Sequence, residues 1–401
     1  NPNVLHLDCG HAADRSEVVI TVKQLEKVVL AKTTQHREDL NYTLPACLVD
    51  ADIDLPIDTI CLDSGKINIL GDTYFGEFYT RIRKKRGVND ALQQYGYSHS
   101  FEKIAPFFQP DHLNIVNFEA TFFAPHTDSP LREIKPYILD AEAAPTVAEL
   151  KNRNIHHVVL ANNHAKDYGA AGLAYTLEQL KQNQISYIGA AQNQQQAQKI
   201  FEVHSQGQEV AIFNGYWHRN PAYLEFDFYA LGETNGVNSL NNLIENIQRY
   251  KQAKPHSKAV VIAHWGVDFK AVHTAQRRMA RRLVAAGADL IIGHGPHCIQ
   301  PIEYMNEVPV IYSIGNGVFN SNGEFERYQV LPFGALVRLD LQTQSVDLYP
   351  LSIDNKKNFW QPTAVTQQDQ IEKFAQLLAY QGRVYSFNQN EEGHYFTRIS
   401  F

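Results

Sequence analysis

The sequence predicts an α/β fold built on a mainly parallel or mixed sheet, and three observations carry that expectation. Six short apolar runs recur along the chain, each stopping at its carboxyl end in Asp, Glu, Asn, His or Gly. Apolar runs of this length, bounded by turn formers, suit strands buried on both faces. Between them lie segments whose apolar residues recur with a helical period, and strands alternating with helices indicate βα units. Short alternating runs at 210–213 and 226–231 suggest a second sheet packed on the first.

Taken in order, residues 1–65 read as an N-terminal appendage or the end of an upstream domain. Within them 18–22 looks strand-like and 24–32 suits a helix or a continuing strand. The acidic 50–58 segment lacks the Gly and terminal Glu of an EF-hand loop, which leaves a solvated linker or an edge strand. The rhythm begins at Lys66. Run 67–70 ends in Gly71, Asp72, Thr73 and Tyr74, and run 113–116 ends in Asn117 and Glu119. Run 158–160 ends in Asn162, Asn163, His164 and Asp167, a polar cluster at a strand-to-helix turn, where open α/β sheets place ligands. Capping the helix is the plainer use of that cluster. Leu173, Leu177 and Leu180 then form the stripe of an amphipathic helix. Run 259–263 ends in His264, Trp265 and Asp268, run 290–292 in His294 and His297, and run 310–312 in Gly315 and Asn316. Helix 274–286 turns Ala280, Leu283 and Val284 inward and Arg277, Arg278, Arg281 and Arg282 outward before a Gly287 C-cap. Past 352 the strand-end motifs cease, leaving a closing helix at 371–380 and an aromatic, extended tail at 383–401.

Composition narrows the function classes. With 44% apolar and 20% charged residues in 401, this is an ordinary globular chain. A net charge of −7 argues against a nucleic-acid partner. No apolar run approaches the ~20 residues that span a bilayer, and residues 1–10 lack the regions of a signal peptide. Cytoplasmic and cell-envelope locations both stay open. Cys9, Cys47, Cys61 and Cys298 show no CxxC spacing and no disulfide framework.

The polar ends pool Asp72, Glu119, Asn163, His164, His264, His294 and His297. Carboxylates, an amide oxygen and imidazoles together suit Zn²⁺, Mn²⁺ or iron better than Ca²⁺. A carboxylate flanked by His and Asn is a usual bridge between two ions about 3.5–4 Å apart, an arrangement that serves hydrolysis. Elsewhere, the basic run 81–86 and the arginines of 277–282 suit an anionic polymer or two solvated helix faces. Trp217, His218 and Arg219 are candidates for a cleft wall, and Cys298 is a soft ligand or a small buried side chain.

With these motifs in this order, residues 66–351 resemble the capsule-synthesis CapA family, also called PgsA-like or PGA_cap. That family is linked to poly-γ-glutamate capsules and related to calcineurin-like metallophosphoesterases. The resemblance implies a four-layer α/β/β/α sandwich over 66–352, with a metal site at the strand ends of both sheets. It matches Asp72 to the first metal-binding Asp, Glu119 to the bridging carboxylate and Asn163 to the motif Asn. His264, His294 and His297 match the later metal histidines. His164 matches the proton donor to the leaving group, and Asp167 is a catalytic candidate beside it or fixes the turn. Tyr74, Asn117, Asn162, Trp265, Asp268 and Asn316 are candidates for substrate contact. This chain departs from the wider pattern at Tyr74, where His is frequent, at the three-residue spacing of His294 and His297, and at Asp268, where Glu is usual.

The implied function is metal-dependent hydrolysis with one or two divalent ions (Mn, Fe or Zn). It would act in biosynthesis, release or trimming of an anionic γ-peptide polymer such as poly-γ-glutamate. A phosphoester is the other candidate substrate, and other capsule-synthesis proteins are candidate partners. The rivals are a non-catalytic polymer-binding or assembly protein and a broad-specificity phosphatase or phosphodiesterase.

Overall fold

The structure, a computed structural model, describes residues 55–122, 128–217 and 228–401. The expectations at 18–22 and 24–32, at Asp50, Asp52 and Asp54, and at His218 and Arg219 lie outside those residues.

All six apolar runs form strands, and they divide equally between two sheets. Lys66–Tyr74, Leu113–Phe118 and His157–Val159 are parallel neighbours in a ten-stranded sheet. Ser186–Ile188 extends it on one side. On the other side the antiparallel strands Phe333–Asp340, Ser345–Ser352 and Tyr395–Ser400 follow. Lys258–His264, Leu290–His294 and Val308–Ile314 run parallel in a seven-stranded sheet. Gln208–Tyr216 joins that sheet beside Lys258–His264, and Ile200–Ser205 pairs with it. A second sheet is therefore present, but 210–213 belongs with the late runs and not to a separate layer. Of 226–231, the described part makes only isolated bridges, Tyr229 to Val237 and Leu231 to Thr234.

The two-residue period of the strands sorts their side chains into layers. Ile67, Ile69 and Ile115 meet Ile212, Val260, Ile262 and Ile292 between the sheets. The alternate residues Leu70, Val116 and Val158 face outward onto Leu173, Leu177 and Leu180. Ala259, Val261 and Ala263 face the other way, onto Leu243, Ile247, Ala280 and Leu283. Helix, sheet, sheet, helix is the resulting order, the four-layer sandwich. Each buried Leu, Ile or Val side chain contributes about 1.5–3 kcal/mol, so runs apolar at every position are those that lie in the middle of the stack.

Helix Gly169–Gln182 buries the predicted leucine stripe. Helix Thr274–Ala286 starts at a His273 cap and stops at Gly287, whose φ of 110° is left-handed. Its Ala280 and Leu283 are buried, but Val284 is only half-buried, and Arg277 is held by Glu303 at 3.1 Å while Arg278, Arg281 and Arg282 are exposed. The closing helix is Gln368–Leu378.

Two expected boundaries shift. The compact unit runs from Asp52 to Phe401, so a limit at 65 falls inside it. Ile57–Cys61 is its edge strand, parallel to Ile200–Ser205. The 353–401 segment is likewise integral, because Tyr395–Ser400 pairs with Ser345–Ser352. Ile57–Cys61 agrees with the edge-strand reading of 50–58 and Tyr395–Ser400 with the extended tail, whereas their pairing partners are set by the fold. The basic run also changes meaning: Arg83 is buried, lies 2.5 Å from Asp90, and stacks on Trp360. Arg81 pairs with Asp140. Among the described residues no helix is long and apolar enough to cross a membrane.

Candidate metal centre

Strand register explains why distant residues meet. Asp72 aligns with Asn117 on one neighbouring strand and with Asn316 on the other. In the second sheet His264 aligns with His294. Asp72, Asn117, His264 and His294 sit toward the carboxyl ends of parallel strands, where loops leave the sheet, and Asn316 opens the strand Asn316–Phe319 beside Asp72. Close approach needs glycine at Gly295, whose φ is +106° and where a Cβ would lie 2.5 Å from the Trp265 carbonyl oxygen. The loop then places His297 at φ 57°, an uncommon conformation for a side chain of this size. That strain is maintained because the imidazole is held inward: its Nδ1 lies 2.8 Å from Asn316 Oδ1 and 3.2 Å from Asp72 Oδ2.

Asp72 is the hub of the cluster. Its Oδ1 accepts from Asn117 Nδ2 at 2.7 Å and lies 3.6 Å from His294 Nδ1 and 3.8 Å from His264 Nδ1. Gly295 N–H donates to Oδ2 at 3.3 Å. Glu119 stands opposite, 3.9 Å from His264 Nε2 and 3.8 Å from His164 Nε2. Asp72, Glu119 and His297 each offer one ligand atom, all within 4.8 Å of one another. The structure thus brings Asp72, Glu119, His264, His294 and His297 to one buried neighbourhood, with Asn163 in the turn next to His164.

Burial sets the electrostatics. It pushes the Glu119 carboxyl well above the usual range, and the neighbouring Asp72 charge adds to the push. Burial opposes ionisation of Asp72 too, but the imidazoles of His294, His297 and His264 gathered around it prevail and hold that carboxyl well below its ordinary value. His264 drops to about 3, chiefly through burial. His297 rises to about 10 because the carboxylates of Glu119 and Asp72 outweigh its own burial.

These residues fit a divalent cation. Both Glu119 oxygens, both His294 ring nitrogens and Asn163 Oδ1 are buried with no hydrogen-bond partner in the protein. A buried polar atom left unpaired costs about 1–3 kcal/mol, more when charged. A cation that accepts lone pairs from Glu119, Asn163 and one His294 nitrogen accounts for these together, the other His294 nitrogen carrying the ring proton. Oxygen and imidazole donors suit Mn, Fe or Zn. Cys298 stays out of the set as a buried thiol pushed up to about 12 by burial.

Next to the cluster, His164 Nδ1 lies 2.7 Å from Asp167 Oδ2, which leaves Nε2 facing Glu119. Asp167 is fully buried, and its carboxyl is held below the usual range: burial opposes this, but Lys135 and His164 prevail. A carboxylate 2.7 Å away requires the proton on Nδ1.

The expected substrate contacts separate differently. Tyr74 is fully buried; its hydroxyl donates to the Asp140 carbonyl and accepts from Phe78 N–H, so it reaches no substrate. Trp265 is 1% exposed and donates from Nε1 to the Tyr312 carbonyl. Asn117 links Asp72 to His264, Asn162 donates to Asn117 Oδ1 at 3.1 Å, and Asn316 holds His297. Those three orient ligands and are themselves buried. Asp268 is exposed, and its charge reaches Glu119 and His297. Trp217 packs edge-on against His273. Sequence reasoning missed Lys135, whose only local signal is a lone cation between Ile134 and Pro136, and Phe269, which sits at φ 55° with its ring 5.8 Å from His297.

Comparison with known proteins agrees with the geometry. Residues 66–321 match the family described as bacterial capsule synthesis protein PGA_cap. The capsule biosynthesis protein CapA of Bacillus anthracis is 28% identical over 68% of this chain and 66% of its own length. The PGA biosynthesis protein CapA of Bacillus subtilis is 28% identical over 63% of each chain. The chain therefore spans slightly less than two-thirds of these relatives. Among solved structures, Haemophilus influenzae NAD nucleotidase covers 82% of this chain and 52% of that chain, at 13% identity and a TM-score of 0.34. The match to the family extends from the first strand-end aspartate to the last asparagine of the cluster, and the chain belongs to the bacterial capsule synthesis protein PGA_cap family.

Proposed function

We propose that this chain is a metal-dependent hydrolase acting in the synthesis, release or trimming of an anionic capsule polymer such as poly-γ-glutamate. The observation that carries the chemistry is the set of partnerless buried atoms on Glu119, His294 and Asn163, gathered beside Asp72 and His297. The polymer follows from the capsule role named for the two CapA relatives.

In this reading Asp72, Glu119, Asn163, His264, His294 and His297 hold one or two divalent ions. Bound ions supply Lewis acidity toward the scissile bond and an acidified water for attack. Asn117 and Asn316 keep Asp72, His264 and His297 in place. Asp167 holds the Nδ1–H of His164, so a proton for the leaving group would be carried on Nε2 of the doubly protonated ring, whose positive charge the Asp167 carboxylate offsets. The half-buried Phe269 ring beside His297 limits water on one side of the site.

The test is to purify the full chain without chelators, measure bound Mn, Fe and Zn, and assay phosphodiester and γ-glutamyl substrates with native protein and Glu119→Ala. Stoichiometric metal, with turnover lost in the variant, is expected. Metal-free protein that still binds polymer would overturn the hydrolase reading in favour of an assembly role.

A further inference from the structure

Segment 129–139 is fastened to the Asn163–Gly169 turn at both ends. Ser129 Oγ donates to the Asp167 carbonyl at 2.5 Å, and Pro130 lies against Gly169, where a Cβ would meet its ring at 3.1 Å. Leu131, Ile138 and Tyr168 form a small apolar cluster beneath. At the far end Leu139 N–H donates to Asp167 Oδ2 at 2.6 Å.

Between these anchors Lys135 turns inward, 8% exposed. Its ammonium donates to Asp167 Oδ1 at 2.5 Å and to the Asn163 carbonyl at 2.6 Å, and lies 3.1 Å from His164 Nδ1. One cation therefore touches three positions of the turn: the backbone of Asn163, the ring of His164 and the carboxylate of Asp167. Burying an ammonium is costly unless it is paired and hydrogen-bonded. Surface lysines suffice for neutralising a carboxylate; only a buried one, gripping from a separate segment, also sets direction.

We propose that Lys135 is a positioning residue: by holding the Asp167 carboxylate and the Asn163 carbonyl together it aims His164 Nε2 at the Glu119 side of the cluster. Asp167 has two oxygens, and their division of labour follows from this grip. Oδ1 is taken by Lys135, so Oδ2 is the oxygen presented to His164 Nδ1. Without the ammonium the carboxylate keeps the Leu139 N–H on Oδ2 but loses its grip at Oδ1, and the acceptor of the imidazole is less firmly fixed. The same bond to the Asn163 carbonyl keeps the Asn163 amide oriented, so the metal side and the proton side of the turn share one support. The catalytic consequence rests on the hydrolase reading above, but the orientation does not.

The experiment uses the full chain labelled with ¹⁵N-histidine and loaded with diamagnetic Zn²⁺. The His164 Nδ1–H resonance, identified by its loss in His164→Gln, is expected to be protected from exchange in the native protein. It should be lost to exchange in Lys135→Met and retained in Lys135→Arg. Ser129→Ala, which loosens the same segment without touching the ammonium, should keep it. Protection that survives in Lys135→Met, or that vanishes equally in Ser129→Ala, overturns the proposal. Should the Met variant fail to fold, Lys135→Gln must show reduced protection, and undiminished protection there overturns it as well. In parallel, kcat for a phosphodiester with a poor leaving group should fall about ten- to a hundredfold in Lys135→Met. A p-nitrophenyl ester, which needs no proton on leaving, should be little affected and KM unchanged. Equal loss on both esters also counts against a role through His164. If native protein turns over neither these esters nor a γ-glutamyl substrate, the hydrolase reading fails, while the resonance still decides the role of Lys135.

Discussion

Among the described residues two clusters bring histidine and carboxylate within 4.8 Å, and of these two the one at the strand ends asks for a cation. At the strand ends, Glu119 and His294 are buried with every polar side-chain atom unpartnered. On the seven-stranded sheet, Glu202, His204 and Glu209 also bring three ligand atoms within 4.8 Å. There, however, Lys254 donates to Glu202 at 2.6 Å and lies 3.2 Å from Glu209, His204 Nε2 is 2.8 Å from Glu202, and the Tyr250 hydroxyl is within reach of both glutamates. The second cluster carries its own cation in covalent form. Residue type and proximity are therefore not enough to define a metal site; the deciding feature is whether the protein itself completes the lone pairs.

The comparison can be broken most directly at His164, the proposed proton donor. Exchanging His164 for Gln should lower kcat by about 10²–10⁴-fold while bound metal, counted by elemental analysis, stays at the native ratio. Loss of metal with it would mean that His164 belongs to the ligand set. Next in size, Asn316→Ala frees His297 and should weaken metal affinity by about 10–100-fold, read by competition with a chelator. An unchanged affinity would show that the Asn316 contact does not orient the ring.

Lys254→Met sharpens the contrast from the other side. It leaves Glu202 and Glu209 facing each other without the ammonium and should destabilise the fold by about 1–3 kcal/mol. In that variant, but not in the native protein, added Zn²⁺ should restore part of the lost Tm. Activity should not change. If Zn²⁺ stabilises this region of native protein equally, the distinction between the clusters fails.

The smallest effect concerns Glu77, a buried carboxyl with one bare oxygen and no neighbouring ligands. Burial raises it to about 7. Its folded pKa thus exceeds its unfolded one, so the folded state binds more protons and stability declines as pH rises from about 4.5 toward 7. Glu77→Gln should accordingly raise Tm at pH 8 and leave it nearly unchanged at pH 4; a gain of the same size at both values would rule out titration of this group.

Much of the candidate site was legible because its residues share one local signature, a polar side chain at the end of a short apolar run. Asp72, Glu119, His264 and His294 stand out in this way, and the helix after Gly169 was readable from Leu173, Leu177 and Leu180. Other contributors left no such trace. Ile57–Cys61 is an edge strand that pairs with Ile200–Ser205 and is held further through Asp58 by Lys199 and Ser186, all distant in the chain. Lys135 lies in a segment with no regular period, and its role exists only through contacts with residues 28 to 32 positions away. Tyr74 and Trp265 look like site residues by position, yet both point into the core and satisfy their polar atoms on backbone carbonyls.

What the amino-acid order determined alone was local: which runs are apolar enough to be buried on both faces, where each must stop, and which donors stand at the stop. Tertiary structure decided how those runs divide between two sheets and in what register. It also decided which cluster contains its own ammonium group. Periodicity follows from bonds a few residues apart, whereas register, sheet membership and charge compensation depend on contacts between residues far apart along the chain, which only the packed fold brings together.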